Sequence, residues 1–163
     1  MFLLLLFLLA AGTACVPLIV RYLPRFFPRL QLYPASAWLP TLAGFLMILS
    51  VLLPNIHISN ETATFQQHFV GGGMYSAALY FYAKQLFGWR MPWLVDMLAV
   101  FSWVSALGVA NKLAEFALLK TGLAAISTSD AYWDLLANTL GGYVGYALIF
   151  KLVHVPNDSK EQP

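Results

Sequence analysis

Apolar residues in this chain gather into five long runs, and the stretches between them carry most of the charge and most of the proline. The runs cover residues 1–20, 37–53, 65–87, 92–110 and 131–152. Each is close to the roughly 20 residues that an α-helix needs to cross a bilayer, and none shows the alternation of a strand. The second is short and ends at Pro54. The third is led in by residues 61–64, which read as an amphipathic first turn. The fourth continues apolar to 119, so one long helix and two broken ones are both open. The pattern predicts an all-α membrane protein. Its single transmembrane domain, 1–153, is a bundle of about five helices, followed by a polar cytoplasmic tail at 154–163.

Basic residues orient the bundle. Arg21, Arg25 and Arg29 follow the first run, Lys84 and Arg90 separate the third from the fourth, and Lys151 and Lys160 follow the fifth. If all five runs span, these three places share one face, and positive charge marks the cytoplasm. The expected topology has the N-terminus outside and the C-terminus in the cytoplasm. Trp38, Trp89, Trp93 and Trp133 fall near run ends, as an interfacial aromatic belt does. The opening MFLLLLFLLAAGTAC lacks the basic start of a signal peptide and reads as a retained first helix. The stretch RYLPRFFPRLQLYPASAWLP is punctuated by proline and is expected not to be helical. It reads as a cytoplasmic loop on the lipid headgroups, or as a contact for a lipid phosphate or a partner.

Composition narrows the class. Hydrophobic residues make up 60% of the chain and charged residues 10%, with a mean hydropathy of +0.71, so there is too little polar surface for a water-soluble domain. A net charge of +2, scattered along the chain, excludes nucleic acid as a partner. The lone Cys15 excludes an internal disulfide and a cysteine metal cage.

Chemistry-bearing side chains concentrate in the half that this topology places outside: His57, Glu61, His68, Asn111, Lys112, Glu115, Asp130, Asp134 and Asn138. The inner half holds anchoring charges and Asp96. On the fifth run Asp130, Asp134, Asn138, Gly141 and Gly145 fall within about 80° of one helical face. That face reads acid, acid, amide, small, small. An acid facing lipid at mid-bilayer costs about 3 kcal/mol, so these groups must face protein or water. Asp130 also suits a helix N-cap, and Asn138 an interhelical hydrogen bond. On the third run Glu61, His68, Gly72 and Ser76 share a face, and on the fourth Gly108, Lys112 and Glu115 do. Gly72, Gly141 and Gly145 read as close-packing positions. Lys112 either pairs with Glu115 at i,i+3 or balances a cluster of Glu115, Asp134 and His68. His68, Glu115 and Asp134 are the candidate catalytic groups, with Glu61, Lys112, Asp130 and Asn138 as candidate binding groups. No compact metal motif is present, and neither a metal nor a cofactor is expected.

The segment DLLANTLGGYVG fits D-x3-N-x2-G-x3-G through Asp134, Asn138, Gly141 and Gly145. In this it resembles the VanZ-like family of small bacterial membrane proteins, named for a member linked to resistance to the glycopeptide teicoplanin. Glu115 matches an upstream glutamate of that pattern, Asp130 an acid before the aspartate, and His68–Phe69 part of an earlier helix start. Leu118 stands where the pattern has glutamine, and no arginine precedes Asp130. The resemblance implies a multi-pass protein of the bacterial inner membrane and the cell envelope.

Three functions fit these residues. The first is an outward-facing polar pocket for an envelope lipid or its headgroup. The second is an accessory subunit of a larger membrane complex or a homo-oligomer, with the glycine faces as partner seams. The third is an ion or proton pathway through Glu115 and Asp134. Membrane lipids are the expected partners in the first.

Overall fold

A computed structural model describes residues 2–54, 64–121 and 131–153. His57, Glu61, Asp130 and the tail 154–163 lie outside them, so the structure does not describe their expected roles. The described residues contain helices and no strand. The helices are α1 (Phe2–Phe26), α2 (Trp38–Leu52), a π-helical stretch Gln67–Met74 running directly into α3 (Tyr75–Leu86), α4 (Trp93–Lys120) and α5 (Ala131–Val153). Three of them, α1, α4 and α5, are long and apolar enough to cross a membrane. The 15-residue α2 is apolar but spans only about 22 Å at 1.5 Å per residue.

Local chemistry sets most helix ends. Pro54 forces Leu53 into an extended conformation (φ −71°, ψ 145°), which stops α2. α3 ends at Gly88 with φ +64°. There the amide N–H of Gly88 donates to the Gln85 carbonyl at 3.1 Å, and that of Trp89 to the Lys84 carbonyl at 3.0 Å. This closing turn needs a residue free to adopt left-handed backbone. Pro92 stands immediately before α4, where its missing N–H costs nothing.

One expectation is corrected, and one open alternative is decided. α1 does not stop at Val20. It continues through Arg21, Pro24 and Arg25 to Phe26, so the proline-punctuated stretch begins as helix. Pro24 lies two residues from the helix end, where the ring removes one hydrogen bond and few later ones depend on it. The remainder of that stretch docks on α3, with the Tyr33 N–H donating to the Leu86 carbonyl at 2.8 Å and the Ser36 N–H to Gln85 Oε1 at 2.8 Å. The fourth run is one continuous helix of 28 residues, about 42 Å long, against a hydrocarbon core of about 30 Å.

The π–α3 helix lies at the centre. It packs on α2, α4 and α5, while α1 packs on α2. Small residues on α3, Ser76, Ala77, Ala78 and Ala83, let its neighbours close in, and Tyr80 and Phe81 fill the space between helices. Phe81 stacks on Tyr146 at 5.1 Å, which locks α3 to α5, and Phe150 stacks on Tyr146 from the next turn of α5 at 5.9 Å. The outer surfaces of α1 and α4 expose Leu8, Leu18, Leu94, Leu98, Leu113 and Phe116. A helix exposing apolar side chains over so much of its surface is matched to hydrocarbon rather than to water.

Candidate functional site

Asp134 is the fourth residue of α5 and only 3% exposed. Three elements converge on its carboxylate. Lys112 of α4 ion-pairs with Oδ2. His68 Nε2, from the π-helical stretch, lies 3.2 Å from Oδ1. The Thr64 hydroxyl, just before that stretch, donates to the same oxygen at 3.3 Å. An ionised carboxylate cannot remain so deeply buried without partners, and here cation and hydroxyl donors replace its lost hydration.

One turn deeper on α5 lies Asn138, 5% exposed, whose amide oxygen Oδ1 is buried and accepts no hydrogen bond. A Cβ added to Gly72 would overlap that oxygen, and one added to Gly108 would come within 3.2 Å of the amide nitrogen. Gly141 meets the Phe69 carbonyl in the same way, and Gly145 meets Met74. Glycine at 73, 141 and 145 therefore lets the π-helical stretch and α5 approach backbone to backbone, and glycine at 72 makes room for the Asn138 side chain.

The π-helical turn contributes directly. The amide N–H of Tyr75 donates to the Val70 carbonyl, five residues back, so this part of the helix is wider than an α-helix. His68, Gly72 and Ser76 still line one side, as their spacing predicts. They border a cavity of about 430 Å³ that also touches Ser50 and Met47 of α2, Asn111 of α4 and Asn138 of α5. The helices on either side of α5 reach it in definite register. Lys112 meets Asp134, Gly108 meets Asn138, and Val104 meets Gly142, so α4 runs antiparallel to α5.

Of the sequence-predicted residues, His68, Lys112 and Asp134 thus meet in one cluster, and Asn138 and Gly72 in contact beside it. Glu115 lies in α4, and its side chain is outside the described residues. Lys112 engages Asp134 across the helix interface. Among the described residues no group of three or more His, Cys, Asp or Glu side chains is placed to hold a metal ion.

A second buried cluster escapes the sequence reading, which takes Lys84 as an anchoring charge. Asp96, the fourth residue of α4 and 2% exposed, receives hydrogen bonds from Lys84 and Tyr80 of α3, and from the Tyr146 hydroxyl of α5 at 2.7 Å. The available signal is the four-residue spacing of Tyr80 and Lys84, which puts both donors on one face of α3. Only the packing of α5 reveals Tyr146 as the third.

The chain matches no protein-family model, no curated protein and no solved structure, so its chemistry is read from these residues directly.

Proposed function

We propose that this chain is a multi-pass protein of the bacterial inner membrane, of the VanZ-like kind, whose outward-facing pocket binds the headgroup of an envelope lipid. The observation that carries the reading is the cavity of about 430 Å³ bordered by His68 and Asn138, with the buried Asn138 amide oxygen left without a donor. A buried, unpaired acceptor is costly, by about 1–3 kcal/mol, and a headgroup carrying N–H or O–H donors relieves it once the Asn138 amide turns from Gly72 toward the cavity. Asp134, through its contacts to His68 and Lys112, fixes His68 at the cavity's edge.

Support for the orientation comes from the opposite end of the bundle. The segment after α1 docks on the end of α3, and Lys84, Arg90 and Val153 border one small cavity there. The basic stretches after α1, after α3 and at the end of α5 therefore share a face, as a cytoplasmic surface requires. The pocket lies toward the other end. The glycines that a partner seam would use are occupied within the chain, which favours the pocket over the accessory-subunit reading. Between Asn138 and Tyr146 the α5 seam is built on Gly141, Gly142 and Gly145 against backbone and Val104, over about 12 Å of helix. That spacing favours a binding pocket over an ion pathway.

Native mass spectrometry of the purified protein with phosphatidylethanolamine and with phosphatidylcholine tests the reading. Phosphatidylethanolamine offers N–H donors and phosphatidylcholine offers none. The wild type is expected to retain the former by about tenfold over the latter, equivalent to about 1.4 kcal/mol, and Asn138→Leu to lose that preference. Equal retention of both lipids by the wild type sinks the proposal.

A further inference from the structure

The cavity has polar and apolar lining. His68, Ser76 and Asn138 supply the first, and α2 and α4 add Ser50 and Asn111 to it. Leu9 of α1, Met47 and Val51 of α2, and Leu107 of α4 supply the second. Leu9 is 49% exposed and Leu107 37% exposed, although both border the cavity. Among the described residues α1 and α2 do not pack against α4. Among the described residues no contact between α1 and α4 closes the cavity, and Leu9 and Leu107 stand at that gap. On either side of the opening, α1 and α4 present the lipid-compatible surfaces already described.

We propose that this opening is a lateral slot through which one acyl chain of a membrane lipid lies between Leu9 and Leu107, with the lipid's headgroup reaching Asn138. The inference rests on the headgroup reading and adds the ligand's route and its second half. The surroundings of the opening argue for lipid: the faces of α1 and α4 beside it expose apolar side chains, so hydrocarbon lies against the gap. An extended hydrocarbon chain is far narrower than a helix about 10 Å across. The ligand is thus a lipid whose chain stays in the bilayer, and the protein presents its headgroup site from the side, without lifting the lipid into water.

The experiment blocks the slot without touching the polar lining. Leu9→Trp and Leu107→Trp each enlarge an exposed residue at the rim, where extra volume points away from the packed core. Phosphatidylethanolamine binding is measured by native mass spectrometry, and binding of the water-soluble glycerophosphoethanolamine by saturation-transfer NMR. Both variants are expected to lower phosphatidylethanolamine retention by about tenfold. The soluble headgroup is expected to bind them as it binds the wild type. Unchanged lipid retention in both variants overturns the slot while leaving the headgroup site standing. A wild type that binds neither compound overturns both. Slot-dependent binding with equal retention of phosphatidylcholine keeps the slot and removes the headgroup reading.

Discussion

The bundle holds two buried aspartates built on one plan, and they have different surroundings. Asp96 and Asp134 are each the fourth residue of a helix, and each is paired with a lysine from the helix before it. Because α4 and α5 run antiparallel, the pairs sit at opposite ends of the interface. Asp96 is enclosed by Lys84 and the hydroxyls of Tyr80 and Tyr146, with Phe81 and Trp103 packed around Tyr80. Asp134 has Lys112 on one oxygen, and on the other His68, which borders a cavity. A buried charge surrounded by donors on packed aromatic rings holds helices in register. Lys84 also borders a small cavity, of about 170 Å³, so the difference is one of size and of the unpaired Asn138 oxygen beside the larger cavity, which leaves capacity for a ligand there.

Substitutions at the two ends should separate these roles. Asp96→Ala has the largest expected effect, because it leaves Lys84 and two buried tyrosine hydroxyls without their common acceptor. Loss of one partner from a buried pair costs about 3–5 kcal/mol, which denaturant unfolding in detergent would measure. Lipid retention per folded molecule should stay at the wild-type level. An unshifted unfolding midpoint would show that the Asp96 cluster does not hold the helices together.

Asp134→Asn keeps the side-chain shape and removes the charge. Weakening these charge-assisted hydrogen bonds is expected to cost about 1.5–3 kcal/mol, and the protein should still insert. Its signature is the reverse of that at Asp96: phosphatidylethanolamine retention falls much further than stability does. If the two fall in proportion, the ends of the bundle are equivalent and the comparison fails.

Gly72→Ala sharpens the same contrast at lower cost. The new methyl group would overlap the Asn138 amide oxygen, so Asn138 must turn or the π-helical stretch must move away from α5. Overpacking of this kind costs about 1–3 kcal/mol. Because Asn138 borders the cavity, headgroup preference should change with it, whereas the environment of Tyr146 and Asp96 should not. Tyrosine resonances from the Asp96 cluster that shift as much as the signals from His68 would contradict this.

The helices were readable because hydrocarbon imposes a length and a composition on anything that crosses it. The fifth run is read as 131–152 and found as Ala131–Val153, where no proline or glycine cap misleads. The first was read six residues short because proline was given its mid-helix cost near a helix end, where it has less to disrupt. The π-helical form of Gln67–Met74 was not readable. Three successive glycines lower helix propensity without specifying which wider turn results, and the close approach of α5 favours one.

The site divides the same way. Periodicity alone put Asp134, Asn138, Gly141 and Gly145 on one face, and His68, Gly72 and Ser76 on another, since residues four apart on a helix must share a side. It could not decide that those two faces meet each other, that Lys112 reaches Asp134 across the interface, or that Tyr80, Lys84 and Tyr146 close on Asp96. Such pairings depend on the order and tilt of packed helices, set by many small contacts between residues far apart in the chain. The apolar runs by themselves determined a helical chain with spans fit for a membrane, whereas only the tertiary structure decided which side chains close on each buried charge. The physical reason is that hydropathy is a property of each segment, while satisfaction of a buried charge is a property of what surrounds it.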